Sequence, residues 1–549
     1  MKKLFLLLTA FVGTWTMALA CTNLIVGKNA STDGSTIVSY SADSYGLYGY
    51  LCHYPAANYP KGTMMDVYEW DTGKYLGQIE QARKTYNVIG NINEYQLTIG
   101  ETTFGGRPEL VDTTGVIDYG SLIYITLQRA RTAREAIDVM TNLVKEYGYY
   151  SSGESFTVAD PNEIWILEMI GKGPGIRGAV WVAVRVPDDC ISAHANQSRI
   201  RKFDMSDKEN CIYSPDVVSF AREKGYFSGV NKDFSFADAY APLDFGALRY
   251  CEARVWSYFH RYAPGMDAYL SYVQGDTKSE PMPLFIKPSR KLSVQDVMSA
   301  MRDHYEGTPL DITNDPGAGP YHMPYRPSPL SFKVDGKEYF NERPISTQQT
   351  GFSFVSQMRA DLPDAVGGVF WFGTDDANMT VYTPVYCCAD RVPDCYEYGK
   401  GDYVTFSWDS SFWIFNWVAN MVYPRYSLMI GDVREVQQNL ENTYFDGQEG
   451  IESSALKLYN TSPAKAKEFL TNYTSMTANS AFDSWKHLGE FLVVKYNDMV
   501  VRRMKDGKFE RTETGLAAPV VRPCYPEEFL REVVKATGDR YLIPTTENK

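Results

Sequence analysis

Hydrophobic and polar residues in the first part of the chain follow the pattern of short strands joined by turns. Residues 24–26 form a β-prone run, residues 29–35 carry turn-forming side chains, and residues 36–38 resume the strand. The glycine-rich sequence GKGPGIRG lacks the Lys-Ser/Thr pair and the following helix of a phosphate-binding loop, so we predict a turn between strands there. Further β-rich runs lie at residues 97–100, 165–169, 179–186, 367–373 and 379–386.

Helical periodicity is clearest at residues 122–148, where apolar residues recur at intervals of three and four and Gly148 marks the end. A second helix is predicted at residues 294–305, behind Ser293 as its N-cap. The segment 307–331 is rich in proline and glycine, which predicts a long ordered loop. After residue 427 the pattern predicts helices at residues 433–444, 450–460 and 463–496.

This order of elements favours an α+β protein with a layered αββα core and a helical C-terminal region over a doubly wound sheet. We divide the chain into a leader at residues 1–20, a main domain at 21–425 and a mostly helical region at 426–549. The apolar segment 411–423 is short and interrupted, so it is predicted to be buried core. No membrane span is expected in the mature chain.

The first twenty residues have the character of a secretory signal peptide. Lys2 and Lys3 supply a positive start, residues 4–12 are apolar, and the sequence ALA at 18–20 has the small residues that signal peptidase reads. We therefore expect an exported protein, periplasmic or secreted, in which cleavage makes Cys21 the first residue.

A cysteine at this position also begins bacterial lipoproteins, in which it is lipidated. That signal has a branched apolar residue three places before the cysteine and a small residue two places before it. Here Ala18 and Leu19 occupy those places in the reverse sense. The pattern favours a free N-terminal Cys21, and a non-enzymatic surface lipoprotein that binds peptide or carbohydrate is the alternative.

Charge and composition narrow the function classes. The formal net charge of −13 argues against a nucleic-acid partner. The six histidines form no HExxH motif and the cysteines no paired CxxC spacing, so we expect neither a metal nor another cofactor. Eight cysteines besides Cys21 are compatible with disulfides in an exported protein, and a local bridge is expected among Cys387, Cys388 and Cys395.

An N-terminal cysteine combines two functional groups on one residue. Its α-amine has an ordinary pKa near 8 and its thiol near 8.5, so a neutral amine can accept the thiol proton directly or through one water. Such a nucleophile needs a group that orients the amine, donors for the oxyanion and a cation that holds charge. Cys21 is therefore our candidate nucleophile.

The sequence CTNLIVGKNASTDGST resembles the start of the cysteine dipeptidases of family C69. These enzymes are related to the choloylglycine hydrolases and penicillin V acylases, and all are N-terminal nucleophile hydrolases. The resemblance implies a four-layer αββα sandwich as the catalytic domain at 21–425 and metal-free hydrolysis of dipeptides. It continues through the segments NINEYQLTIGETT, WILEMIG, WVAVRVPDDCISAHANQSRI, ALRYCEARVW, YEGTPLDIT, VFWFG and WVANMVYPRYS.

The resemblance assigns roles to individual residues. Cys21 matches the nucleophile, and Asp43 matches the acid that hydrogen-bonds near the N-terminal amine. The chain departs from the family at Tyr40, because relatives often carry an arginine three residues before this aspartate. The arginine–aspartate pair is therefore incomplete, and charge support for Cys21 is expected from Arg254 or another cation.

Two amides and one guanidinium complete the predicted site. Asn93 matches the asparagine of the family's NE motif, which lines the oxyanion hole, and Asn196 matches a second amide at the site. Arg254 matches a basic residue near the nucleophile, although Arg249 offers a competing alignment.

The resemblance implies a dipeptidase that acts on small peptides through a thioester on Cys21. An amidohydrolase of N-acyl amides or conjugated bile acids would use the same nucleophile and differ in its substrate pocket. A dipeptidase must also recognise the free ammonium or carboxylate of its substrate, and the sequence names no residue for that task. Assembly into a homo-oligomer is left open.

Overall fold

A computed structural model of the chain describes residues 21–543, so the predicted leader at 1–20 lies outside the described residues. The strands are β1 (Thr22–Val26), β2 (Thr36–Asp43), β3 (His53–Tyr54), β4 (Ala57–Asn58), β5 (Met64–Tyr68), β6 (Tyr75–Glu80), β7 (Lys84–Thr85), β8 (Val88–Ile89), β9 (Ile92–Asn93), β10 (Thr98–Gly105), β11 (Gly153–Ala159), β12 (Ile164–Gly171), β13 (Ala179–Arg185), β14 (Ile191–His194), β15 (Cys211–Tyr213), β16 (Ser331–Val334), β17 (Lys337–Phe340), β18 (Thr350–Met358), β19 (Val369–Thr374), β20 (Thr383–Tyr386), β21 (Met504–Lys505) and β22 (Lys508–Phe509).

The α-helices are α1 (Tyr119–Leu127), α2 (Ala133–Tyr147), α3 (Val217–Glu223), α4 (Phe236–Tyr240), α5 (Ala253–Tyr262), α6 (Leu270–Val273), α7 (Val294–Met301), α8 (Asp364–Gly367), α9 (Ser411–Val422), α10 (Tyr426–Thr461), α11 (Pro463–Tyr496) and α12 (Glu527–Thr537). A π-helical stretch, Ala247–Glu252, leads directly into α5.

Two antiparallel sheets form the centre of the molecule. The first has six strands in the order β14-β1-β2-β18-β19-β20, and the second has eight in the order β15-β13-β12-β11-β10-β9-β8-β3. Strand β1 pairs with β2 on one side and β14 on the other, so it lies inside its sheet. The residue that precedes β1, Cys21, is therefore held against neighbouring strands.

Alternation along the strands shows how the layers pack. In β12, Ile164 and Ile166 belong to the core shared with the six-stranded sheet, whereas Trp165 and Leu167 pack with α1 and α2 on the other face. The six-stranded sheet turns its other face toward α5, α7, α9, α10 and α11. Because successive side chains point to opposite faces, an almost continuous apolar strand is buried on both sides.

The sequence predictions hold for element type and fail at several boundaries. The helix predicted at 122–148 is two helices, α1 and α2, and Thr132 caps the second by accepting a hydrogen bond from the Glu135 backbone N–H. The Glu135 side chain in turn accepts a hydrogen bond from the backbone N–H of Arg131, the residue before the cap, so the chain turns at this point and the two helices are separate. Gly148, with φ of 80°, ends α2 as predicted.

Other helices are shorter or longer than predicted. Ser293 caps α7 as predicted, but the helix ends at Met301. The helices predicted at 433–444 and 450–460 are one continuous helix, α10, because the intervening Gly447 is tolerated within a packed helix. The segment around α9 is buried core as predicted. Within residues 21–543, no helix is both long and apolar enough to cross a membrane.

The C-terminal helices belong to the same body as the sheets. Helices α10 and α11 form an antiparallel pair that packs on α9 and β20. Arg302 pairs with Glu441 of α10, and Arg359 pairs with Glu452 of the same helix. The helical region after residue 426 is thus fixed to the six-stranded sheet by apolar packing and buried ion pairs.

A close approach between α11 and α9 yields a stability prediction. A Cβ at Gly489 would lie 2.1 Å from the Trp417 ring, whereas one at Gly450 of α10 would have no atom within 4 Å. We expect Gly489→Ala to lower the free energy of unfolding by about 1–3 kcal/mol through overpacking. Gly450→Ala, the matched control, should raise it by about 0.5–1 kcal/mol because alanine favours helix. Urea unfolding of both variants measures the difference, and equal stability would contradict the packing argument.

Candidate active site

Cys21 is buried at the end of β1, where two strands and a helix meet. The backbone of Thr22 pairs with Ser41, and that of Asn23 with Tyr40, which brings the Tyr40 ring beside the first residue. The Cys21 Sγ lies 3.6 Å from the Tyr40 hydroxyl oxygen. The side chain is 1% exposed, so this thiol is held inside the molecule.

The surroundings of Cys21 favour the protonated form of its thiol. Burial raises the pKa of Cys21 well above its ordinary value, and the negative charges of Glu101 and Asp43 raise it further. A backbone hydrogen bond from Asp43 and the Tyr40 hydroxyl act in the opposite direction. The thiol therefore needs a nearby base before it can attack, which is the task predicted for a free α-amine.

Asp43 is fully buried at the end of β2 and is neutralised by an arginine that sequence reasoning missed. Its Oδ2 accepts hydrogen bonds from Arg343 Nη2 at 2.5 Å and from the Ser41 hydroxyl at 3.0 Å. Its Oδ1 accepts one from the Thr350 hydroxyl at 2.7 Å. Tyr40 stands where relatives often have arginine, but the structure still provides an arginine–aspartate pair, with Arg343 as the cation.

Arg254 of α5 ties the first residues of β1 to the loop after β14. Its Nη1 donates to the Cys21 carbonyl oxygen at 2.6 Å and to the Thr22 hydroxyl at 2.8 Å. Its Nη2 donates to Asn196 Oδ1 at 2.9 Å. The competing residue, Arg249, pairs with Glu342 instead. Burial lowers the pKa of Arg254, and the positive charge of Arg343 lowers it further.

Asn196 lies near Cys21 through its contact with Arg254, and its role as a second amide of the site stays a prediction. Its Nδ2 also donates to the Thr103 carbonyl oxygen at 2.8 Å. Its φ of 64° lies in the left-handed region, which asparagine tolerates better than most residues. It lines a cavity of about 380 Å³ that Gln197 and Cys251 also border.

Asn93 is held elsewhere by four backbone contacts. Its Nδ2 donates to the carbonyl oxygens of Leu127 and Ala130, both at 2.8 Å. Its Oδ1 accepts from the backbone N–H groups of Tyr95 and Leu97. These bonds fill the hydrogen-bonding capacity of the side chain and join β9 to the turn between α1 and α2. The structure therefore gives Asn93 a scaffolding position, and its oxyanion role stays a prediction.

Tyr40 connects the thiol to a buried acid that sequence reasoning also missed. The Tyr40 hydroxyl donates to Glu101 Oε1 at 2.6 Å, and Glu101 is 1% exposed. The sequence signal was present in the strand ETTF, where an acidic residue interrupts a run that folds as a buried strand, β10. A charged residue in such a strand indicates function or a buried polar network.

A cavity of about 460 Å³ opens beside Tyr40. Its walls are mostly aromatic, and they include Tyr40, Tyr54, Trp70, Tyr119, Tyr124 and Phe352. Among the described residues, the charged side chains that line it are the two acids Asp71 and Asp402. A cavity of this size, apolar with a few acidic groups, suits a small ligand with a positive charge.

The histidine and cysteine side chains are the remaining candidates for metal binding and disulfide formation. Residues 21–543 contain no group of three or more histidine, cysteine or acidic side chains arranged to hold a metal ion. His194 lies between the sheets, hydrogen-bonded to the Thr102 and Thr157 hydroxyls, and burial lowers its pKa to about 3. All nine cysteines are unpaired, so the local bridge expected among Cys387, Cys388 and Cys395 is wrong for this structure.

Comparison with known proteins gives a family. The model of peptidase family C69 matches residues 20–51 and 47–439. A "probable dipeptidase" of Salmonella dublin is 31% identical over 386 residues, which cover 67% of this chain and 81% of the relative. One of Latilactobacillus sakei is 27% identical over 398 residues, covering 69% and 76%. A "dipeptidase" of Bifidobacterium longum (strain NCC 2705) is 24% identical over 416 residues, covering 68% and 72%.

These matches identify the class of the protein as a peptidase. The chain belongs to peptidase family C69, in agreement with the resemblance in its N-terminal sequence.

Proposed function

We propose that this protein is an exported cysteine dipeptidase whose nucleophile is Cys21, freed as the N-terminal residue when residues 1–20 are removed. The observation that carries the proposal is the convergence of Asp43, Arg254 and Asn196 around the buried Cys21. The names of the relatives support peptide substrates. The two packed antiparallel sheets with helices on both outer faces support the αββα sandwich of N-terminal nucleophile hydrolases.

Cleavage after residue 20 would supply the missing base. The new α-amine of Cys21 accepts the proton of its own thiol, and the thiolate attacks the peptide carbonyl carbon. A sulfur–carbon bond forms while the carbonyl oxygen becomes an oxyanion. The charge of Asp43, which Arg343 holds in place, acts on the Cys21 thiol, and we assign Asp43 the role of orienting the resulting ammonium group. Arg254 fixes the Cys21 carbonyl, so the residue keeps one orientation throughout.

Collapse of the oxyanion completes the first half of the reaction. The carbon–nitrogen bond breaks, and the ammonium of Cys21 gives its proton to the departing amine. A water then loses a proton to the same amine and attacks the thioester, after which the sulfur–carbon bond breaks and the thiolate regains its proton. Backbone N–H groups are the candidate donors to the oxyanion. The Tyr40 hydroxyl lies 3.6 Å from the sulfur and can join them when its one proton is released from Glu101 Oε1, to which it donates at 2.6 Å.

A substrate panel tests the proposal. The chain lacking residues 1–20, with Cys21 confirmed by mass as an unmodified first residue, should release free amino acids from dipeptides. Glycine-conjugated bile acids and other N-acyl amides serve as the competing class, because the same nucleophile would act on them. Cleavage of N-acyl amides without dipeptides would favour the acylase alternative. An acylated Cys21 would instead favour the lipoprotein alternative.

A further inference from the structure

A pair of acidic side chains lies behind Tyr40 on one face of the eight-stranded sheet. Glu101 in β10 faces Phe156 in β11, and Thr103 faces Glu154. Because residues two apart point to the same side of a strand, Glu101 and Glu154 are diagonal neighbours. Both are 1% exposed. Two acids are thus placed together inside the molecule, beside the thiol.

This pair lacks the cation that buried carboxylates normally have. No other described side chain donates to Oε2 of Glu101 or Oε2 of Glu154, and both atoms are buried. Oε1 of Glu101 accepts from Tyr40 and Oε1 of Glu154 from Thr103, while the two carboxyl groups interact with one another and Glu101 also interacts with the Cys21 thiol. The described ion pairs include neither acid, so the two groups can share a proton but have no cation, and a cationic ligand would stabilise their charged form.

A third acid, Asp71, lies at the aromatic cavity and acts electrostatically on Glu101. Asp71 lines that cavity and accepts a hydrogen bond from the Tyr119 hydroxyl at 2.9 Å. Tyr40 and Tyr119, both on the cavity wall, feel the charge of Glu101. Burial raises the pKa of Glu101, Glu154 and Asp71, in the last case to about 6. A bound cation would favour the charged form of all three.

We propose that Glu101, supported by Glu154 and Asp71, binds the free α-ammonium group of the substrate and so restricts the enzyme to unblocked dipeptides. This inference rests on the proposed function. It identifies the side chains that bind the amino group of the substrate. The sequence alone offers no candidate for that task.

The geometry of a dipeptide fits this placement. Its amino nitrogen is two bonds from the carbonyl carbon that the Cys21 thiolate attacks. A receptor for that nitrogen must therefore lie close to the sulfur. One hydroxyl, that of Tyr40, stands between them, 3.6 Å from Sγ and 2.6 Å from Glu101 Oε1. The ammonium can replace or join this hydroxyl as the donor to Glu101, while aromatic walls receive the side chain of the same residue.

The acids also distinguish the two substrate classes. An N-acyl amide or a bile acid conjugate has no ammonium beside its scissile carbonyl. Binding it would leave the carboxylates unpaired and bring apolar atoms against them, which costs affinity. A dipeptide with a free amine would place one positive charge beside them. The same pocket therefore selects for unblocked dipeptides and against acylated ones.

The test compares a dipeptide with its N-acetyl derivative on the cleaved enzyme. We expect the wild-type protein to prefer the free dipeptide in kcat/KM by about 10²-fold or more, the range of a buried charge-assisted hydrogen bond. Glu101→Gln should remove most of that preference by lowering kcat/KM for the free dipeptide alone. Glu146→Gln, on the exposed end of α2, is the matched control and should keep the wild-type preference.

A binding measurement separates recognition from chemistry. In a Cys21→Ala background, calorimetry with the free dipeptide should detect binding that Glu101→Gln weakens by about 10²-fold. Should Glu101→Gln fail to fold, Asp71→Asn at the cavity wall carries the test, with an expected loss of about tenfold. Dipeptide cleavage with an unchanged preference in the Glu101 and Asp71 variants would overturn the ammonium site and leave the proposed function intact. Absence of dipeptide cleavage by the wild-type enzyme would overturn both.

Discussion

Replacement of Cys21 by alanine is expected to lower kcat/KM for dipeptides by at least about 10³-fold, because it removes the sulfur that we propose forms the covalent intermediate. The fold should persist, since alanine fits the space of the buried thiol and β1 stays paired with β2 and β14. The measurement is amino acid release by the chain lacking residues 1–20, together with the midpoint of thermal unfolding.

Other thiols of the same chain provide the control. Cys190 is buried on the turn before β14, and none of its described contacts involves Cys21. Cys190→Ala should therefore keep activity within about twofold, while any loss of stability reports only on packing. Cys21→Ser keeps a nucleophilic oxygen but has a much higher pKa, so a strong loss is expected there as well. Dipeptide cleavage by Cys21→Ala within tenfold of wild type would show that another residue attacks the substrate.

The sequence predicted the parts of the fold that depend on local pattern. The strands β1 and β2, the turn before β13 and the cap at Ser293 follow from alternation, glycine content and capping chemistry. The break between α1 and α2 was missed because the apolar periodicity continues across it. Thr132 and Glu135 have the spacing of a helix N-terminus and indicate the start of α2. Capping and turn residues thus predict element boundaries even where the apolar periodicity does not.

The sequence predicted only those residues of the candidate site that lie in the family's motifs. Cys21, Asp43, Asn196 and Arg254 are brought together, and they were found through the resemblance. Arg343 was missed because it meets Asp43 from 300 residues away along the chain, and no local pattern announces that pairing. The four-fold backbone bonding of Asn93 is likewise a property of the folded loops, which sequence position does not reveal.

Loss of Arg343 is expected to be among the most destabilising single changes in the described part of the chain. Asp43 is 0% exposed and Arg343 is 4% exposed, so the pair is cut off from water. Arg343→Met keeps much of the side-chain volume but leaves a buried negative charge without its cation. Breaking a buried ion pair in this way costs about 3–5 kcal/mol. Urea unfolding of Arg343→Met should show this loss as a lower midpoint, and dipeptide hydrolysis should fall with it because Asp43 no longer holds its position.

Two further variants decide whether the charge or the packing is responsible. In Asp43→Asn/Arg343→Met the buried charge is gone, so part of the lost stability should return if the unpaired carboxylate causes the effect. Arg531 pairs with Glu527 on α12 with both side chains 75% exposed, and Arg531→Met should cost less than about 1 kcal/mol. A loss at Arg343 no larger than that at Arg531 would contradict the role of Arg343 as the cation of the buried pair. Recovery of stability in the double variant without recovery of hydrolysis would separate folding from the role proposed for Asp43, because the neutral amide removes the buried charge together with the anion that we propose orients the Cys21 ammonium.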